Sequence, residues 1–221
     1  RRIAAGPMPG STDATMLGST SLNRDYRTGS TMSEPLFIVG LGGTTRAGST
    51  SERALAAALD AAAAAGCATQ LFAAGSLPLE PYDPTRPERS PEAIAMLAAL
   101  RRADGVLLAT PAYHGGISGL VKNAIDFTED MRQDDSPYFD GLAVGCIVCA
   151  DGPQAMGSTL ASLRSIVHSL RGWPTPFAAT INSRERPFGG DGREADPAVL
   201  EACALVARQV IEFAHMKRSS K

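Results

Sequence analysis

Short runs of consecutive apolar residues alternate along the chain with longer stretches whose apolar positions recur every three or four residues. Leu36, Phe37, Ile38 and Val39, closed by Gly40, form the first run, and Pro35 stands just before it. A run of this length predicts a strand covered on both faces. A Gly/Ser/Thr loop then leads into alanine-rich residues 52–65, a strong helix former stopped by Gly66. Residues 68–73 predict a second strand, followed by a long loop, 77–91, that holds five prolines. Ser90 and Pro91 read as an N-cap and a first helical position, and the helix they open would turn Ile94, Leu97, Ala98 and Leu100 inward. Residues 105–110 predict the third strand. Residues 119–130 predict a helix with Leu120, Val121, Ala124, Ile125 and Phe127 as its apolar positions. A fourth strand is expected at 142–149, a helical stripe at Leu160, Leu163, Val167 and Leu170, and a fifth strand at 177–181. The last helix opens at Asp196-Pro197 and should bury Leu200, Cys203, Ala204, Ala207, Val210 and Ile211.

Five β–α units with apolar strands predict an α/β fold, a doubly wound five-stranded parallel sheet with helices on both faces. Ligands bind such sheets at the carboxyl ends of the strands, where strand order reverses. The loops after strands one, three and four are therefore the places for chemistry. Residues 1–31 show no apolar periodicity and are rich in Gly, Ser, Thr, Pro and Arg. They read as a disordered tail, or one foreign to the natural chain, with Met32 as the natural start and the folded domain at 32–221.

Charge and composition narrow the function classes. Lys+Arg total 21 against 23 Asp+Glu, a formal net charge of −2, which argues against a nucleic-acid partner. No apolar run approaches the roughly 18–20 residues of a membrane helix, so a cytoplasmic protein is expected. Four cysteines in 221 residues do not make a disulfide scaffold.

The loop after strand one runs from Gly40 through Gly42, Gly43, Thr44, Thr45, Arg46 and Gly48 to Ser49, Thr50, Ser51 and Glu52. A dinucleotide fingerprint starting at Gly40 fails at Thr45, and a P-loop starting at Gly43 fails at Ser49, where lysine is required. A hydroxyl-rich anion cradle survives both tests. Arg46 adds a guanidinium that can hold two phosphate oxygens. Ser49 with Glu52 fits a capping box, which would aim helix N–H groups at the loop. A terminal phosphomonoester suits this set better than a pyrophosphate. A polar turn with a capped helix and a solvated arginine would have the same composition.

The loop after strand three holds Thr110, Pro111, Ala112, Tyr113, His114, Gly115 and Gly116, and continues through Gly119 to Lys122, Asn123 and Asp126. This run resembles the P-x-Y-[NH]-x-x-x-x-G-x-[LV]-K-N-A-[IL]-D segment of the NADPH-dependent FMN reductase family. The first loop is similar to that family's G-S-x-R-x-x-S phosphate loop, with Thr44 in place of serine. Residues 187–192 followed by Asp196 resemble its late loop. The resemblance spans roughly residues 36–215.

The resemblance implies the flavodoxin-like fold, with strand order 2-1-3-4-5, and FMN as cofactor with NADPH or NADH as electron donor. It implies that Thr44, Arg46, Ser49, Thr50 and Ser51 hold the FMN phosphate, and that Pro111, Ala112, Tyr113, His114 and Gly115 line the ring and ribityl side. The loop after strand four would cover another ring edge. There Ala150, Asp151, Gly152, Pro153 and Gln154 replace the family's glycine-rich turn: Gly152 keeps one close approach, while Asp151 sets a carboxylate near a ring that becomes anionic on reduction. The electron acceptor would be free flavin, a quinone or another small molecule, or a flavin-dependent monooxygenase. Relatives are commonly dimers or tetramers, so a homodimer or homotetramer is expected. A one-electron carrier of the flavodoxin kind, and a flavin-free binding or scaffold domain, are the competing classes.

Other residues have plain readings. Cys146 and Cys149 form a C-x-x-C, but residues three apart in a strand face opposite ways and should neither bridge nor share a metal. Three scattered histidines without paired carboxylates make no metal site. Lys122, Asn123 and Asp126 suit a cap, a subunit contact or a solvated helix face. Tyr82 is either a lid over the flavin or an anchor for its loop.

Overall fold

Five apolar segments become strands and five periodic ones become helices, with two further two-residue strands, one inside a turn. The computed structural model describes residues 34–189 and 194–220. The predicted tail, and Gly190, Asp191 and Gly192 of the late motif, lie outside the described residues. In chain order the elements are β1 (Phe37–Gly42), α1 (Thr50–Ala64), β2 (Ala68–Phe72), α2 (Pro91–Arg102), β3 (Gly105–Tyr113), β4 (Gly116–Ile117), α3 (Gly119–Asp126), β5 (Ala143–Ala150), α4 (Pro153–Ser169), β6 (Trp173–Pro174), β7 (Ala179–Asn182) and α5 (Pro197–Ser219). A 3-10 turn, Phe127–Met131, prolongs α3.

The parallel sheet runs β2-β1-β3-β5, and β6 and β7 both pair with β5. This is the expected 2-1-3-4-5 order, with β5 as the fourth strand and β7, covering most of the expected 177–181, as the fifth. β6 is an unexpected short pairing just before it, and two prolines keep it from running on into β7. Pro174 and Pro176 have no N–H for the ladder, and Arg164 on α4 donates to the carbonyls of Thr175 (3.1 Å) and Pro176 (2.7 Å) in the gap. β4 was not expected and pairs antiparallel with the end of β3.

Alternation along each strand builds two cores. Val39, Leu41, Val106, Leu108, Val144, Cys146 and Val148 face α2, α3 and α4, among Met96, Leu97, Val121, Ile125, Leu163 and Val167. Ile38, Leu107, Ala109, Ile147 and Cys149 face α1 and α5, among Leu55, Ala58, Cys203, Val206 and Val210. Cys146 and Cys149 thus lie on opposite sides of the sheet, and both are free thiols. Burial pushes each thiol up to about 12.

Two helix faces differ from expectation. On α2 the buried stripe is Ala93, Met96, Leu97 and Leu100, whereas Ile94 is 58% exposed and Ala98 is also exposed. The 93/96/97/100 spacing matches a helical stripe better than a set built on Ile94. On α5 Leu200 is exposed and Ala204 only half-buried; both line a shallow groove with Ala57 and Ala61 of α1.

Candidate active site

The β1–α1 loop is shaped by its own polar groups. A Cβ at Gly42 would lie 2.1 Å from the Ala109 carbonyl oxygen, so only glycine lets β1 leave the sheet this close to β3. Thr44 Oγ1 accepts from the Arg46 N–H at 3.0 Å and donates to its carbonyl at 3.1 Å, closing a tight turn. Ser49 is the N-cap of α1, its hydroxyl accepting from the Glu52 N–H at 3.3 Å. The Glu52 carboxylate reaches back to the Gly48 N–H (3.1 Å) rather than to that of Ser49, so the capping box closes one residue early. Ser49 and Ser51 are buried with their hydroxyls 3.4 Å apart. The Thr50 and Ser51 N–H groups open the helix and have no intrahelical acceptor. The Arg46 side chain is exposed and makes no hydrogen bond or ion pair among the described residues.

A β-hairpin forms the next wall. Ala112 pairs with Ile117 and Tyr113 with Gly116, leaving His114 and Gly115 as a two-residue turn. Their φ values are +52° and +79°. Positive φ at both central residues is the type I′ pattern, whose twist matches that of the strands. Glycine tolerates this freely, and histidine tolerates it better than most residues. Ser158 of α4 donates to the Gly115 carbonyl at 3.0 Å and ties the turn to the helix.

The far wall comes from the ends of β5 and β7. Asp151 follows β5, and Arg184 follows Ser183 at the end of β7. Their side chains pair at 3.6 Å, with 65% and 74% of their surfaces exposed. Arg53 of α1 holds the chain after β7 in place, donating to the Phe188 carbonyl and lying 5.5 Å over its ring.

These walls enclose an open groove of about 290 Å³ lined by Thr44, Arg46, Ser49, Thr50, Ser51, Pro111, Ala112, Tyr113, Cys149, Ala150, Asp151 and Ser183. Nine of the twelve residues singled out from the sequence line it. His114, Gly115 and Gly152 do not: the first two are the hairpin tip, and Gly152 is the N-cap of α4. Ala150 belongs to the loop after the fourth predicted strand that was expected to cover a ring edge, whereas Cys149 and Ser183 were not among the site residues singled out, although the rule that ligands gather at strand ends points to their positions. The buried Cys149 thiol, pushed up to about 12, is no nucleophile.

Asn123 and Tyr82 belong elsewhere. Asn123 Oδ1 accepts from the Tyr82 N–H at 2.8 Å, while Nδ2 donates to the carbonyls of Pro78 and Glu80 at 3.2 and 2.9 Å. Tyr82 packs edge-on against Phe127 at 5.3 Å and donates to Asp130. It anchors the proline-rich loop and is not a lid. Lys122 pairs with Asp126 on the solvated face of α3. No cluster of metal-ligating side chains occurs among the described residues, and no helix there is long and apolar enough to cross a membrane.

A parallel sheet in the order β2-β1-β3-β5, with a hydroxyl-lined, arginine-edged groove at its carboxyl ends, places the chain in the flavodoxin-like class of α/β folds. Solved structures carry the same fold. A flavoenzyme NAD(P)H:(acceptor) oxidoreductase from Paracoccus denitrificans superposes with a TM-score of 0.63 at 19% identity, covering 82% of this chain and 98% of the other. A WrbA-like flavodoxin from Agrobacterium tumefaciens gives 0.58 at 17% identity, over 83% and 99%.

The chain belongs to the NADPH-dependent FMN reductase family, whose profile matches residues 37–185. Its activity is that of an NAD(P)H-dependent FMN oxidoreductase. An NAD(P)H-dependent FMN reductase from Pseudomonas aeruginosa is 27% identical over 77% of this chain and 90% of its own. An NADPH azoreductase from Bacillus sp. strain OY1-2 is 27% identical over 64% and 76%.

Proposed function

We propose that the groove seats FMN, with the phosphate held by Thr44, Arg46, Ser49, Thr50 and Ser51 and the ring side bordered by Pro111, Ala112, Tyr113, Asp151 and Ser183. The donor set fits: buried serine hydroxyls and helix N–H groups meet one unpartnered guanidinium, the complement of a monoester dianion. The observation that carries this reading is the Arg46 side chain, unpaired at the edge of that cradle. No dinucleotide fingerprint accompanies it, which favours FMN over FAD. When bound, FMN supplies the chemistry, taking hydride from NADPH or NADH and passing electrons to an acceptor.

The protein binds, orients and leaves one approach open. His114, Gly115 and Gly152 shape the walls without lining the groove. The Tyr113 ring is 56% exposed at the rim and suits a planar acceptor such as a quinone or an azo compound. The name of the Bacillus relative is consistent with that choice. A flavin-dependent monooxygenase is the alternative consumer of the electrons. The protein works in the cytoplasm as a homodimer or homotetramer.

Titration with FMN, FAD and riboflavin tests the cradle. FMN should bind at micromolar concentrations or tighter and more tightly than the other two; a protein that takes up no FMN refutes the reading. If one open face serves both substrates in turn, NADPH and acceptor varied together give parallel double-reciprocal lines. Intersecting lines would mean that donor and acceptor occupy the site together.

A further inference from the structure

We infer that Asp151 and Arg184 form a charge pair that sets the reduction potential of the bound flavin, the aspartate lowering it and the arginine offsetting it. The inference rests on the groove being the FMN site. Three observations carry it. First, Asp151 lines the groove, and so does Ser183, the residue before Arg184. Second, the pair bridges the ends of β5 and β7, which are paired strands. β1, which leads into the phosphate cradle, is separated from β5 by β3. At roughly 4.8 Å per strand, the pair stands on the side of the groove reached by the rest of the cofactor. Third, the pair has little structural work. With 65% and 74% of the side chains exposed it is screened by water and contributes little to stability. The backbone around it is held independently: Asn182 Oδ1 accepts from the Arg184 N–H at 3.1 Å, and Asn182 Nδ2 holds Glu185 at 2.6 Å.

A hydride delivered to the ring adds one negative charge to it. A carboxylate on the groove wall opposes that charge, and a guanidinium favours it. Together they nearly cancel, so the ring meets a close dipole and not a net charge. Ligand binding dehydrates the wall and strengthens both terms relative to bulk water. The two single substitutions must therefore act in opposite directions. Asp151→Asn leaves the guanidinium alone, tightening the binding of reduced FMN relative to oxidised FMN. Arg184→Gln leaves the carboxylate alone and does the reverse.

The experiment measures the dissociation constant of oxidised FMN and the midpoint potential of bound FMN in the parent, both single variants and the double variant. Asp151→Asn should change the oxidised-to-reduced affinity ratio by about threefold to tenfold in favour of the reduced form, a rise of about 15–30 mV for a two-electron couple. Arg184→Gln should lower the potential by a similar amount, and the double variant should return to within about twofold of the parent ratio. Shifts of the same sign, no shift, or a double variant that fails to return would overturn the charge pair while leaving the groove assignment intact. A parent protein that does not bind FMN would overturn the groove assignment, and the inference with it.

Discussion

Two loops at the same end of the sheet use their polar groups in opposite ways. The proline-rich loop, residues 77–90, is tied down at nearly every polar contact. Asn123 engages three of its backbone groups. Arg89 makes a two-pronged pair with Asp130 at 2.6 and 2.9 Å and lies 5.0 Å over Tyr82 and 5.7 Å over Phe127. The β1–α1 loop closes its own turn through Thr44 and its own cap through Ser49, yet leaves the Arg46 guanidinium unpaired. Both loops carry arginine and hydroxyl residues, so composition does not separate them. What separates them is whether a charged group already has its partner. Satisfied groups hold a structure together, and the unpaired Arg46 cation beside buried hydroxyls is the feature on which the proposed phosphate site rests.

The largest effect should come from breaking the tied loop. Asp130→Ala leaves the Arg89 side chain, only 13% exposed, without its carboxylate. The expected cost is about 2–3 kcal/mol in urea denaturation, below the range for a fully buried pair because both partners retain some solvent. The pairing with Arg89 holds the Asp130 carboxyl below the usual carboxylate range. A depressed folded-state value means that the contribution is complete at neutral pH and is lost as pH falls through the acid range. FMN affinity, measured where the variant is folded, should change by less than about twofold, since any larger change would exceed roughly 0.4 kcal/mol of coupling to the cradle. A destabilisation below about 1 kcal/mol would place the pair with ordinary surface contacts.

Arg46→Ala should do the reverse. Removing a charge-assisted contact of about 1.5–3 kcal/mol weakens FMN binding by roughly tenfold to a hundredfold. Riboflavin, which lacks the phosphate, should lose far less, and the urea midpoint should hold because the side chain supports nothing in the fold. Equal losses for both ligands would show that Arg46 acts on the loop's shape and not on the phosphate.

The strands, the helices and the two-sided core were legible because apolar runs and helical spacing report burial directly; the strand order was legible only through the family resemblance. The cradle residues were legible because a Gly/Ser/Thr turn with one arginine excludes the other nucleotide templates by single mismatches at Thr45 and Ser49. The hairpin was not. Its turn, His114-Gly115, lies in a stretch that also reads as a glycine-rich loop, and pairing between Ala112 and Ile117 leaves no periodic mark in strands this short. Ile94 and Leu200 were misplaced because apolarity alone does not fix which stripe of a helix meets the sheet. The Asp151–Arg184 pair joins residues far apart in the chain, and only the adjacency of β5 and β7 brings them together.

Ser49→Ala lies between the two extremes of the comparison, since Ser49 both caps α1 and lines the groove. Loss of the cap should cost about 1 kcal/mol of stability, and FMN affinity should fall as well. Ser49→Asp keeps a capping acceptor but sets a carboxylate beside the phosphate. It should recover most of the stability while weakening FMN further, through like-charge repulsion in the cradle. Recovery of both properties by aspartate would mean that Ser49 acts only as a cap.

The smallest effect belongs to His114, and two substitutions divide its roles. Both asparagine and alanine remove the imidazole. Asparagine, however, is well suited to the first position of a type I′ turn and would create an Asn-Gly pair ahead of Gly116, whereas alanine at φ +52° is strained. If the residue serves the turn, His114→Ala should lose about 1 kcal/mol in thermal or urea denaturation, and His114→Asn should match or slightly exceed the parent. FMN affinity should track the hairpin: weakened modestly by alanine, preserved by asparagine. The hairpin carries Tyr113 at the groove rim, so the rate of acceptor reduction should follow the same pattern. An imidazole with a chemical part in turnover gives another result, in which both variants slow equally and stability does not separate them. That outcome would move His114 from the wall of the site into its machinery.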